Sequence, residues 1–294
     1  MTERKAYTVT LSDGRTLSVM EAGNERDLAV IVHNGTPSGA GLLTENIEDA
    51  AALGLRLISY ARPGYQASTR QPGRSVADAA KDTAELADLL SIERFATWGI
   101  SGGGPHALAC AALLPDRVVA AASLAGVAPY DAEGLDFMAG MGEDNIAEFG
   151  AALEGEKTLA DYLSTQVPAL LASTPAEMAA HMNSLLGGPD KAVFTDAFGA
   201  EMAGLMQQAI ADGIYGWLDD DLAFTKPWGF DAAQIRVPLQ IWQGTQDLMV
   251  PCSHGQWLAQ HIPQADIHIS DTDGHLTLYR TRVPEVHRWM KAHF

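Results

Sequence analysis

Apolar positions along this chain fall into two kinds of run. Leu28–His33, Leu55–Tyr60, Phe95–Ile100 and Val118–Ala125 are short, nearly unbroken apolar stretches. Such stretches read as strands buried on both faces. Between them, Leu42–Leu53 and Val76–Leu90 are patterned as helices, and Pro105–Leu114 is rich in alanine and leucine without an internal breaker. Ahead of these, Tyr7–Ala22 holds two strand-like runs around Asp13-Gly14, a hairpin signal. Strands alternating with helices after an initial hairpin predict an α/β fold with a mostly parallel sheet covered on both faces.

That rhythm stops after Pro129. From there to about Thr225 the pattern is helical and rich in alanine and methionine, with Met202, Leu205, Met206, Ala209 and Ile210 at helical spacing. Lys226–Phe230 punctuates the chain, and Val237–Trp242 restores the buried-strand pattern. Helix 254–262, strand 266–270 and helix 281–293 complete it. The reading is a core in two parts, 1–128 and 227–294, interrupted by a helical insertion over 129–226, with neither internal repeats nor disordered tails. Six of the ten methionines lie in the insertion, along with Phe137, Phe149, Phe194, Phe198 and Trp217. They either form the insertion's own helix–helix core or line a lipophilic pocket beneath it. Asp219-Asp220-Asp221 reads as an exposed acidic turn.

Composition narrows the function classes. A chain of 294 residues, 47% of them hydrophobic, buries a core without staples. Its two cysteines, Cys110 and Cys252, suggest neither a disulfide framework nor a zinc cluster. The formal charge of −18 argues against nucleic acid and anionic membranes as partners. The charged start Met1-Thr2-Glu3-Arg4-Lys5 runs directly into a strand pattern, and no apolar run reaches the length of a membrane span. The expectation is a cytoplasmic protein, monomeric or homodimeric, with no metal cluster.

The chemistry concentrates at Gly99-Ile100-Ser101-Gly102-Gly103, where a strand should turn into a helix. Glycines around Ser101 allow a sharp turn that exposes its hydroxyl at the open end of the sheet, over a helix N-terminus. A serine nucleophile needs a base, itself oriented by a carboxylate. Of nine histidines, His275 stands apart. It falls in the loop Asp271–His275 just past the last strand, where parallel sheets place reactive residues. The acid is expected in Trp242–Asp247, after the preceding strand, which makes it Asp247. Asp273 competes but, two residues from His275, is expected to shape the loop. An oxyanion needs two N–H donors. One is expected from Gly102, the other from the loop His33-Asn34-Gly35-Thr36-Pro37, at Thr36.

The order Ser101, Asp247, His275 and these motifs resemble the α/β-hydrolase fold family, in its capped proline-iminopeptidase-like and esterase-like branch. Arg62-Pro63-Gly64-Tyr65 with Ser68, Gly244–Asp247 and Gly274-His275 add to the resemblance, which spans nearly the whole chain outside the insertion. The insertion occupies the place of the family's cap domain. One departure is Asn34, where the family often carries histidine immediately before the oxyanion-loop glycine. The resemblance implies cofactor-free hydrolysis of an ester, amide or related bond and names no substrate; the methionine-bearing insertion, with no basic cluster near any motif, points to a small, mainly apolar one. In its aminopeptidases acidic cap residues bind an amine, so Asp219–Asp221 are candidates for that role. It also implies that Arg62 makes structural hydrogen bonds. A non-catalytic ligand receptor and a lyase or C–C bond hydrolase remain alternatives on the same fold.

Overall fold

A computed structural model describes residues 2–194 and 197–294. Met1, at the head of the charged N-terminal run, lies outside the described residues, as do 195 and 196. The chain runs β1 (Arg4–Thr10), β2 (Thr16–Ala22), β3 (Leu28–His33), α1 (Thr44–Ala52), β4 (Leu55–Tyr60), α2 (Asp78–Leu89) and β5 (Phe95–Ile100). It continues through α3 (Gly104–Leu113) and β6 (Val118–Leu124). Six helices follow: α4 (Glu143–Glu154), α5 (Glu156–Ala172), α6 (Pro175–His181), α7 (Gly188–Val193), α8 (Ala197–Ile210) and α9 (Tyr215–Phe224). Then come β7 (Leu239–Gly244), α10 (Cys252–His261), β8 (Asp266–Ser270) and α11 (His275–Lys291).

The eight strands form one sheet in the order β1-β2-β4-β3-β5-β6-β7-β8. The β1–β2 and β2–β4 pairs are antiparallel, and every later pair is parallel. Strand alternation splits the core into two layers. Val30, Val32, Leu55, Leu57, Trp98 and Ile100 face α1, α11 and much of the insertion. Ala29, Ile31, Ile58, Phe95, Leu239 and Ile241 face α2, α3 and α10. After β3 the chain moves outward to β4, then crosses back to place β5 on the other side of β3. That reversal opens a crevice at the carboxyl ends of β3 and β5, where open α/β sheets hold their ligands.

Several sequence readings change in the structure. β7 starts at Leu239 rather than Val237, because Pro238 has no N–H to give the ladder. It runs on to Gly244 because the buried Gln240 and Gln243 bond to neighbouring groups. α11 starts at His275, six residues earlier than its pattern suggested, so His275 opens a helix rather than sitting in a loop. Its first N–H groups are satisfied by Asp190, out of reach of any local pattern. Finally, Asp219, Asp220 and Asp221 are buried on α9, at most 2% exposed, and are not an exposed turn. Each faces a partner from elsewhere in the fold, as the site makes plain.

Candidate active site

Ser101 sits at the first turn after β5, with φ +56°. A non-glycine residue pays about 1–3 kcal/mol to hold such a conformation, so the surrounding contacts must impose it. They do. A side chain at Gly99 would strike the Gly103 carbonyl, and one at Gly103 would strike the His33 and Asn34 carbonyls. Both positions are closed to anything larger than hydrogen. Behind the turn, His106 on α3 donates from Nδ1 to the Gly102 carbonyl at 2.7 Å. Burial holds this imidazole neutral, well below the ordinary histidine range.

His275 and Asp247 meet at the ends of their elements. Nδ1 of His275 lies 2.8 Å from Oδ2 of Asp247, with both side chains buried. The other Asp247 oxygen accepts the N–H groups of Met249 and Val250, each at 2.8 Å, which fixes the carboxylate plane. Gln243 on β7 reaches Oδ2 at 3.3 Å. Burial alone would lower the His275 pKa, but the charges of Asp247 and Asp190 and the Asp247 hydrogen bond outweigh it, and the net direction is up. Asp273 pairs with Arg282 at 2.8 Å and takes no part in holding His275. Sequence reasoning missed Asp190. Its side chain, 0% exposed, accepts the His275 N–H at 2.7 Å and the Thr277 N–H at 2.9 Å. Gly187-Gly188-Pro189 before it reads only as a breaker, so nothing in the sequence flagged it.

The loop His33–Pro37 lies against Ser101. A side-chain carbon at Gly35 would stand 3.3 Å from Ser101 Cβ, and one at Gly102 would strike Thr36. Asn34, the departure from the resemblance, supports the loop through its side chain, donating to the carbonyls of Gly39 and Gly41 at 2.9 and 2.8 Å. His33 is buried beside Cys110, and burial, aided by the Arg62 charge, lowers its pKa to about 3. Arg62 clasps the loop from behind, donating to the Asn34 carbonyl at 2.6 Å, the Gly35 carbonyl at 2.7 Å and Thr36 Oγ1 at 3.0 Å.

Asp220 in turn holds Arg62. Its fully buried carboxylate accepts from Arg62 at 2.6 Å, Arg74 at 2.6 Å, Thr36 Oγ1 at 2.8 Å and Tyr65 at 2.9 Å. Burial disfavours the charge, yet the two guanidiniums overcome it and hold Asp220 well below the usual carboxylate range. Asp219 pairs with Arg70 at 2.9 Å. Trp217, Asp220, Asp221 and Phe224 fall on one helix face at spacings of three and four. This apolar flanking was the available sign that the aspartates were not a solvent turn.

Ser101, Gly102 and Thr36 open into a cavity of about 230 Å³ roofed by α4, α5 and α9. An adjoining space of about 90 Å³ is lined by Ser101, His275, Tyr279, Met202 and Met206. The insertion's methionines therefore divide. Met178 and Met141 are buried in packing, while Met182, Met202 and Met206 line these spaces. Glu148 and Asp221 both line the larger cavity, and Trp217 Nε1 donates to Glu148 at 2.8 Å. Burial raises both carboxyls, and the neighbouring Glu148 charge pushes Asp221 up further.

Known proteins share this fold. The family model described as alpha/beta hydrolase fold matches residues 29–168. The uncharacterized hydrolase YcgS of Bacillus subtilis (strain 168) is 31% identical over 121 residues, 40% of this chain and 39% of its own length. The chain thus spans about two fifths of that relative. Among solved structures, a thermophilic esterase from Thermogutta terrifontis superposes with a TM-score of 0.70 at 19% identity, covering 98% of this chain and 99% of its own. The enol-lactonase from Burkholderia xenovorans LB400 gives 0.64 at 18%, covering 97% of each chain.

Proposed function

From the alpha/beta hydrolase fold model that matches residues 29–168 and the shared fold of a solved esterase, we propose that this chain is a serine hydrolase that opens an ester or related acyl bond through an acyl-enzyme. The observation that carries this reading is Ser101 held at φ +56° in the same cavity as a buried His275–Asp247 pair. Ser101 Oγ attacks the carbonyl carbon while His275 takes its proton. The proton then passes to the leaving alcohol, and water repeats the sequence to release the acid. Asp247 fixes the imidazole with Nδ1 protonated, leaving Nε2 as the base. The N–H groups of Gly102 and Thr36 receive the oxyanion, and each such donor is worth about a hundred- to thousandfold in turnover.

The methionine-lined walls favour a small acyl or alkyl group, by about 25 cal/mol per Å² buried. One observation favours a second reading. The Glu148–Asp221 pair gives the cavity an acidic end suited to a substrate amine, as the aminopeptidase alternative requires. A fluorophosphonate label combined with p-nitrophenyl esters of two to eight acyl carbons and aminoacyl p-nitroanilides tests both. Labelling with turnover of neutral esters supports the first reading, and preference for the aminoacyl compounds supports the second. Labelling without turnover of either set returns the function to a ligand receptor.

A further inference from the structure

The segment Gly187–Asp190 of the insertion packs against both loops that carry the proposed base and acid. A side chain at Gly187 would strike the Gln246 carbonyl, next to Asp247. A side chain at Gly274 would strike the Asp190 carboxylate, next to His275. Between these contacts Asp190 bonds the main chain of His275 at 2.7 Å, the main chain of Thr277 at 2.9 Å and Thr277 Oγ1 at 3.0 Å. Thr277 Oγ1 also accepts the Gly274 N–H at 2.7 Å. The helix that begins at His275 is therefore capped by a residue 85 positions earlier as well as by its own neighbour Thr277.

We propose that Asp190 is a positioning residue: a second carboxylate, supplied by the helical insertion, that fixes the backbone of His275 while Asp247 fixes its ring. The inference rests on the serine-hydrolase reading. Two carboxylates then hold His275, Asp247 from the loop after β7 at its ring and Asp190 from α7 at its main-chain N–H, while Asp273 is paired with Arg282. The backbone anchor sets where Nε2 points, and the charge favours the imidazolium that forms as Ser101 loses its proton. Docking of the insertion and alignment of the base thereby become one event, and an insertion displaced from the sheet leaves His275 without its anchor.

The test compares wild type with Asp190→Asn and Asp190→Ser on p-nitrophenyl butyrate across pH 5 to 9. Misplacing the base should lower kcat by about ten- to a hundredfold, with KM held within about threefold. Removing the anion should also move the acid limb of kcat/KM downward by about one pH unit. Met178→Ala, buried in the insertion's packing away from His275, lowers Tm but leaves the limb in place. Variants with wild-type kcat and an unmoved limb overturn the proposal, as does an equal limb shift in Met178→Ala. Should neither Asp190 variant fold, the His275 amide proton of the wild-type protein decides. Strong downfield shift and slow exchange are expected, and a random-coil shift with fast exchange overturns the proposal. Ser101→Ala with undiminished turnover would instead defeat the underlying hydrolase reading, whatever Asp190 does.

Discussion

Replacing Asp220 by alanine should damage stability and turnover together, and the structure gives the size of both effects. The Asp220 carboxylate is 0% exposed and joins Arg62 and Arg74, each with a side chain 3% exposed. Removing it leaves two buried guanidiniums with no anion and strands the Tyr65 hydroxyl and Thr36 Oγ1. Breaking a buried pair from one side costs about 3–5 kcal/mol, because the surviving charge stays buried. For a chain of this size about 2 °C of Tm accompanies each kcal/mol, so the melting point should fall by about 6–10 °C. Arg62 then loses the anchor that lets it hold the Asn34 and Gly35 carbonyls. Thr36 shifts with them, and if its N–H leaves the oxyanion, kcat falls by about a hundred- to thousandfold. Differential scanning calorimetry and steady-state kinetics on one neutral ester measure the two effects side by side. A variant that melts within 2 °C of wild type by the same scale, or one destabilised with unchanged kcat, refutes the coupling.

Two further outcomes follow from the buried histidines. His275 is raised by Asp247 and Asp190, so kcat/KM should climb with a midpoint above the ordinary value of about 6.5, and a profile flat from pH 5 to 8 would contradict a histidine base. Burial lowers His254 to about 4, so it stays neutral in the folded protein while the unfolded chain takes up its proton below about 6.5. Its contribution is complete above that pH and is lost as pH falls toward 4, by about 2 kcal/mol at pH 5. His254→Gln should therefore lose less urea stability between pH 7.5 and 5 than wild type, and an equal loss would contradict the buried neutral state.

Much of this fold was legible because its signals are local. β3, β4, β5 and β8 occupy the residues that the sequence pattern predicted for them. The turn at Ser101 was legible for the same reason, since its glycines and flanking elements lie within about a dozen residues. The individual helices between Glu143 and Phe224 were less so, because a helical period alone does not fix where one helix ends. What stayed hidden was long-range. Asp190 reaches His275 across 85 residues, and Asp220 reaches Arg62 across 158. Such pairs have no spacing rule. An aspartate looks alike in sequence whether it meets water or a buried guanidinium.

A serine nucleophile carries the acyl group between the two half-reactions, and here that residue is expected to be Ser101. Mixing the protein with a p-nitrophenyl ester and quenching in acid within the first turnover allows intact-mass and peptide analysis of the trapped species. A mass increase equal to the acyl group is expected, located on the peptide containing Ser101 and absent from Ser101→Ala, which also loses nearly all turnover. An adduct on another residue, or Ser101→Ala turning over at the wild-type rate, would contradict it.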